Sequence, residues 1–177
     1  MSHQAEHRQQ GGNPVRAARP VLLLDVDGVV NPYDGGCPPG YAEHDLFPGE
    51  EPVRINPDHG RWITELLGHY DVVWATGWND EANNRLAPLL GIAPLPVLAM
   101  PAGPFRPADK LSRIAAFAHG RPAAWLDDLH VPEARDWAAH RPWPTLLIPV
   151  DPARGLLREQ VDALLDWAPA RRGTIPL

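Results

Sequence analysis

Three scarcities narrow what this chain can be. It has one cysteine, Cys37, which excludes a disulfide framework within the chain and a cysteine-rich zinc site. Its longest unbroken apolar run near the start, Val21 to Leu24, is far too short for a signal peptide or a membrane span. A soluble, cytoplasmic protein is therefore expected. It also has one lysine, Lys110, against fifteen arginines. Together with the 22 prolines and the abundant alanine, that bias reads as codon composition, and it singles out the one lysine that was kept.

What is present is ordinary globular material. Hydrophobic residues make up 44% and charged residues 21% of 177 residues, enough for one domain with a sizeable core. The formal charge of −6 argues against a general nucleic-acid or anionic-membrane binder. Residues 1–20 carry Arg8, Arg16 and Arg19 against Glu6, which leaves the acidity on the remainder.

Residues 1–19 are polar without an apolar period and read as a flexible tail, and 171–177 as a second tail. Between them, residues 20–170 are expected to form a single domain. Short apolar runs there alternate with helical patterns, the signature of a parallel α/β sheet. Five strands are expected, at Val21–Val26, Asp71–Ala75, Leu95–Met100, Ala123–Leu126 and Thr145–Val150, each apolar enough to be covered on both faces. Helices are expected from Asn56-Pro57, over Asn79–Leu90 with a last turn made irregular by Pro88, and from Pro107 with Leu111, Ile114 and Phe117 inward. Two more are expected from Pro132 and over Leu156–Trp167. The Gly- and Pro-rich segment 31–54 has no period and reads as a functional loop or small hairpin, a flap.

The chemistry-bearing residues fall at strand ends. The first strand runs into Asp25-Val26-Asp27-Gly28, and two carboxylates at the carboxyl end of a buried strand are costly without a compensating cation. That edge is where α/β sheets bind ligands. The second strand ends at Thr76-Gly77-Trp78, which brings a hydroxyl and a free backbone N–H to the same edge. Lys110 opens the third helix, and its compact ammonium can approach a carboxylate and a phosphate oxygen as a planar guanidinium cannot. The fourth strand delivers Asp127-Asp128, which raises the same need for a cation and suggests the second half of a metal site.

In that order, the stretches LDVDGVVN, VVWATGW, PADKLSRI and AAWLDD resemble the four motifs of the haloacid dehalogenase (HAD) superfamily, over about residues 21–150. The resemblance implies a three-layer Rossmann-like sheet with helices on both faces and the first strand between the second and fourth. It implies Asp25 as a nucleophile forming an aspartyl-phosphate and Asp27 as general acid, then base. Thr76 and the Gly77 N–H would hold phosphate oxygens, and Lys110 would neutralise charge. Magnesium would be bound by Asp25, the Asp27 carbonyl and Asp128, with Asp127 acting through water or orienting Lys110. An aspartate at position 27 favours phosphatase chemistry over the dehalogenase branch.

Neither Asp25–Thr76 nor Thr76–Lys110 is long enough to hold a full cap domain, so an open site is expected, covered only by the flap. The compact layout with DVDGVVN and ATGW is also similar to HAD domains associated with RNA repair. Against a nucleic-acid substrate, the flap from Tyr33 to Val53 holds Asp34, Glu43, Asp45, Glu50 and Glu51 and no lysine or arginine, a surface that repels a polyanion. The basic tail and Arg106 partly offset it. Trp78 is either a stacking platform for a base or sugar ring or a packing residue beneath the flap. A phosphotransferase passing the phosphoryl group to an alcohol, and a silent HAD-fold binding module, are the alternatives. A receiver domain fits poorly, because there the acidic pair precedes the lysine. The eight histidines show no metal-ligand spacing, and Cys37 is incidental.

Overall fold

The computed structural model describes residues 19–101 and 106–168. The two expected tails, apart from Arg19, lie outside the described residues. At the centre is β1 (Val21–Leu24), every residue of which is fully buried. A strand of four aliphatic residues can sit there because both of its faces and both of its edges are covered.

Its neighbours are β4 (Asp71–Trp74) and β5 (Ala123–Asp127), both parallel, and β6 (Thr145–Pro149) follows β5. The order β4-β1-β5-β6 places the first strand between the second and fourth expected ones. The period-two alternation divides β1 between two layers. Leu22 and Leu24 face a cluster with Ile63, Leu66, Leu86, Val161 and Leu164, while Val21 and Leu23 face Val73, Ile114, Trp125 and Ala134. Thus α1 (His59–Leu67) and α5 (Arg158–Trp167) cover one face, and α3 (Pro107–Phe117) and α4 (Pro132–His140) the other.

Among the described residues the sheet has four parallel strands, and the expected strand at Leu95–Met100 is not one of them. Leu95–Met100 makes only an isolated bridge, Val97 to Trp74. Its hydrogen bonds are Trp74 N to Pro96 O at 2.9 Å and Leu98 N to Trp74 O at 2.8 Å. Pro94 and Pro96 supply no N–H to a ladder. The Asn83 side chain takes the place of a strand neighbour: its Oδ1 accepts from Leu95 N (2.9 Å) and Trp74 Nε1 (3.0 Å), and its Nδ2 donates to Leu95 O (2.7 Å).

The helix expected over Asn79–Leu90 is a five-residue π-helix, Ala82–Leu86, followed by α2 (Ala87–Leu90). The irregularity thus precedes Pro88. That residue has no N–H for the carbonyl four positions earlier, and the ladder widens so that Ala87 N reaches Ala82 O. At Gly60 α1 meets α2 so closely that a Cβ would lie 1.8 Å from Leu90 O. Phe117, expected inward, is 37% exposed beneath the Arg121 guanidinium.

Within the flap, β2 (Ala42–His44) and β3 (Val53–Ile55) form an antiparallel hairpin. It is tied to the body at its base, where the Tyr41 hydroxyl donates to Arg154 O at 2.9 Å and Tyr33 N to Pro152 O at 3.0 Å. Beneath it, His59 is fully buried, edge-on to Tyr41, with Nε2 3.0 Å from Leu156 O. That carbonyl makes Nε2 the protonated nitrogen of a neutral ring, and burial pushes the imidazole down to about 4. At the flap tip, Phe47 lies beneath the Arg85 guanidinium, 4.7 Å from its ring centre. Arg85 also donates to Leu46 O at 2.5 Å.

Candidate active site

Three parallel strands that end at one level bring their following residues to one rim. β1 delivers Asp25, β5 ends in Asp127 and leads to Asp128, and β4 leads through Ala75 to Thr76, Gly77 and Trp78. Ala75 N donates to Leu24 O at 2.8 Å and Asp25 N to Leu126 O at 3.2 Å, which extends the sheet pairing into the rim.

Lys110 reaches this rim from the first turn of α3. It is buried, and its ammonium donates to Asp25 Oδ2 and Asp127 Oδ2, each at 2.5 Å. Burial works against the lysine's charge, but the two carboxylates outweigh it and raise its pKa. Burial pushes Asp25 up to about 7; Lys110 opposes the rise, and Asp127 adds to it. Asp25 Oδ1 accepts from Val26 N at 2.8 Å, leaving Oδ2 to the lysine.

Both oxygens of Asp127 are engaged by protein donors. Its Oδ2 also accepts from Trp125 Nε1 at 2.9 Å, and its Oδ1 from Leu129 N at 3.0 Å. Asp128 is less enclosed, and its Oδ2 accepts from the Tyr33 hydroxyl at 2.6 Å. Burial is the main cause of its raised pKa; the tyrosine pulls it down and Asp127 pushes it up. One carboxylate oxygen from each of Asp25, Asp127 and Asp128 lies within 4.8 Å of the others. Three such oxygens suit a hard divalent cation.

Gly28 makes room for this arrangement. Its φ is +74°, and a Cβ there would lie 2.6 Å from the Asp128 Cβ. The Asp-Gly pair of the sequence thus serves both a left-handed turn and the approach of the second acidic strand end.

Asp27 is exposed and stands apart from the lysine cluster. Its Oδ1 accepts from Asn31 Nδ2 at 2.9 Å and its Oδ2 from Trp78 Nε1 at 2.8 Å. Thr76 is buried one strand over, its hydroxyl accepting from Trp78 N at 3.3 Å. It has no hydrogen bond to the carboxylates among the described residues. Gly77 is exposed beside it. The turn is fixed by Asn79, the residue at which the second helix is expected to begin. Its φ is +49°, its Oδ1 accepts from Met100 N at 2.7 Å, and its Nδ2 donates to Gly77 O at 3.2 Å. An asparagine following Thr-Gly-Trp, before the helical period begins, is the available signal, because asparagine tolerates that conformation.

Trp78 does pack beneath the flap, edge-on to Phe47 with ring centres 4.9 Å apart, and it bonds to Asp27 besides. Between the flap and Trp78 a cavity of about 400 Å³ opens, lined by Asp27, Gly77 and Trp78 and by Phe47, Glu50, Glu51 and Glu81. Arg106, one of the cations set against the flap's acidity, is paired with Asp109 at 2.9 Å. Tyr33, which touches Asp128, carries no sequence pattern, and Asn31, which touches Asp27, closes the stretch LDVDGVVN without a role being evident from that pattern.

Acids on two strand ends bridged by a lysine from the third helix match the expected superfamily layout, and the family comparison agrees. The family described as the HAD domain in Swiss Army Knife RNA repair proteins matches residues 21–161. The chain belongs to that family. Among curated proteins and among solved structures, nothing matches it. The match begins at β1 and ends within α5, so this HAD domain takes in every strand end described above. No helix among the described residues is long and apolar enough to cross a membrane.

Proposed function

We propose that this HAD domain is a magnesium-dependent phosphatase that hydrolyses a phosphomonoester through an aspartyl-phosphate on Asp25. The observation that carries the reading is the Asp25–Lys110–Asp127 bridge. A buried carboxylate is held by a buried ammonium at the open end of the sheet, with one oxygen pinned by Val26 N. Asp25 is fixed for attack on phosphorus, and the ester oxygen departs on the opposite side. Lys110 offsets the charge that gathers on the nucleophile and the phosphoryl oxygens, and Thr76 and the Gly77 N–H hold those oxygens. Asp27 gives a proton to the departing oxygen, then takes one from the water that hydrolyses the aspartyl-phosphate.

Asp25, the Asp27 carbonyl and Asp128 would hold magnesium, an all-oxygen set of the kind that ion prefers. The ion would supply charge neutralisation on the transferred group. Asp127, with both oxygens engaged by Lys110, Trp125 and Leu129, is assigned to orienting the lysine. The 31–54 segment serves as the flap of an otherwise capless site in a domain of residues 20–170.

A polynucleotide-end phosphatase is the second reading, favoured by the RNA-repair description of the family. Glu50, Glu51 and Glu81 in the cavity wall oppose it, because a polyanion entering there meets like charge. The deciding measurement is phosphate release by the wild type and Asp25→Asn, each with magnesium or EDTA. The substrates are nucleotides, sugar phosphates, a phosphopeptide and 3′- or 5′-phosphorylated oligonucleotides. Turnover that needs both Asp25 and magnesium is expected, and the best substrate decides between the two readings. Activity surviving Asp25→Asn overturns the mechanism.

A further inference from the structure

We propose that Trp78 is a positioning residue for Asp27, and that the flap sets the orientation of that carboxylate through Phe47. The proposal rests on the phosphatase reading and deepens it.

Asp27 is exposed, and none of the buried ions touches it among the described residues. An exposed aspartate is free to sample several rotamers. Here it is held at two points, Oδ1 by Asn31 Nδ2 and Oδ2 by Trp78 Nε1, at 2.9 and 2.8 Å. Two donors on the two oxygens fix the plane of the carboxylate as well as its place.

Both donors report to the flap. The other end of the Asn31 amide accepts from Arg54 N in β3 at 2.8 Å. Trp78 stands edge-on against Phe47 at an interplanar angle of 86°. Both line the cavity, but they differ in freedom. Asn31 is buried and its amide is tied at both ends, to Asp27 and to Arg54 N, so its hold on Oδ1 is part of the fold, whereas Trp78 is half-buried and rests on Phe47 of the flap. The bond to Oδ2 is therefore the one that a movement of the flap can alter. Proton transfer requires the leaving oxygen to come within hydrogen-bond reach of Asp27, and a misplacement of about 1 Å is enough to forfeit much of the rate. A flap that shifts Phe47 shifts Trp78, and with it the acid.

The test exploits leaving groups. An alkoxide must be protonated as it departs, whereas 4-nitrophenolate leaves without help. Trp78→Phe keeps an aromatic ring against Phe47 and removes only the N–H. With glycerol 2-phosphate, kcat/KM, which covers the steps up to departure of the leaving group and not hydrolysis of the aspartyl-phosphate, is expected to fall about tenfold further than with 4-nitrophenyl phosphate, a fraction of what general-acid catalysis supplies. Phe47→Ala should skew the ratio in the same direction, and it carries the test if melting shows Trp78→Phe unfolded. Equal losses on both substrates, or no loss, overturn the proposal, because a packing role alone does not distinguish leaving groups. Asp25-dependent turnover with an unchanged ratio overturns this proposal alone. Absence of Asp25-dependent turnover on both substrates overturns the phosphatase reading and this proposal with it.

Discussion

On the sheet side of the site, Asp25, Lys110 and Asp127 lie buried in mutual contact, while on the flap side Asp27 is exposed and held by two neutral N–H donors. The first arrangement is held together by necessity. Each carboxylate would be intolerable in its place without the ammonium, and the ammonium without the carboxylates. The second costs little to assemble and little to alter. Chemistry and stability are thus coupled at the strand ends and separable at the flap, a division that suits one rigid half and one adjustable half.

The strongest way to break this comparison is Lys110→Met. It leaves two buried carboxylates facing each other, and a loss of about 3–5 kcal/mol in urea unfolding is expected. Adding Asp127→Asn should recover part of that loss. Wild-type stability in the single variant would mean that the buried charges do not depend on one another.

His59 sharpens the contrast, since beneath the flap the buried titratable group is neutral. Its folded pKa of about 4 lies below its ordinary 6.5. Between those values the unfolded chain binds a proton that the native state does not. Stability is full above pH 6.5 and falls as the pH drops toward 4, by about 3 kcal/mol from this group. The difference in urea stability between wild type and His59→Gln, followed from pH 7 to pH 4, should shrink or reverse by that amount. A constant difference would show that the imidazole is not held neutral.

The smallest effect concerns Gly28, where the two sides meet. Gly28→Ala forces a left-handed backbone on alanine and sets its Cβ against Asp128, for an expected loss of about 2 kcal/mol. The loss should be smaller in an Asp128→Gly background, as a double-mutant cycle would read. Equal losses in both backgrounds would assign the whole effect to the backbone.

The same division decided what could be read from the sequence. Asp25, Lys110 and Asp127 were legible because acids ending apolar strands, and a lone lysine among arginines, demand a physical reason wherever they fall. The parallel sheet followed from apolar runs alternating with helical periods, and its strand order from the resemblance to the HAD superfamily. On the flap side Asp27 and Trp78 were legible but their partners were not, because Asn31, Tyr33, Phe47 and Asn79 gain meaning only from neighbours brought close by the fold. Tyr33 and Asp128, for example, are 95 positions apart. The fifth strand failed for a local reason. Leu95–Met100 has the apolar character of a strand, but Pro96 removes a ladder donor and Asn83 supplies side-chain bonds in place of main-chain ones.

That failed strand has a consequence for how the molecule behaves among copies of itself. The outer edge of β4 would otherwise present main-chain donors and acceptors on which another chain could pair and begin aggregating. The proline-bearing strip at 94–98 occupies the end of that edge at Trp74 and offers few N–H groups of its own to extend the sheet. At that end the sheet is bordered by a segment unfit to pass its pairing on.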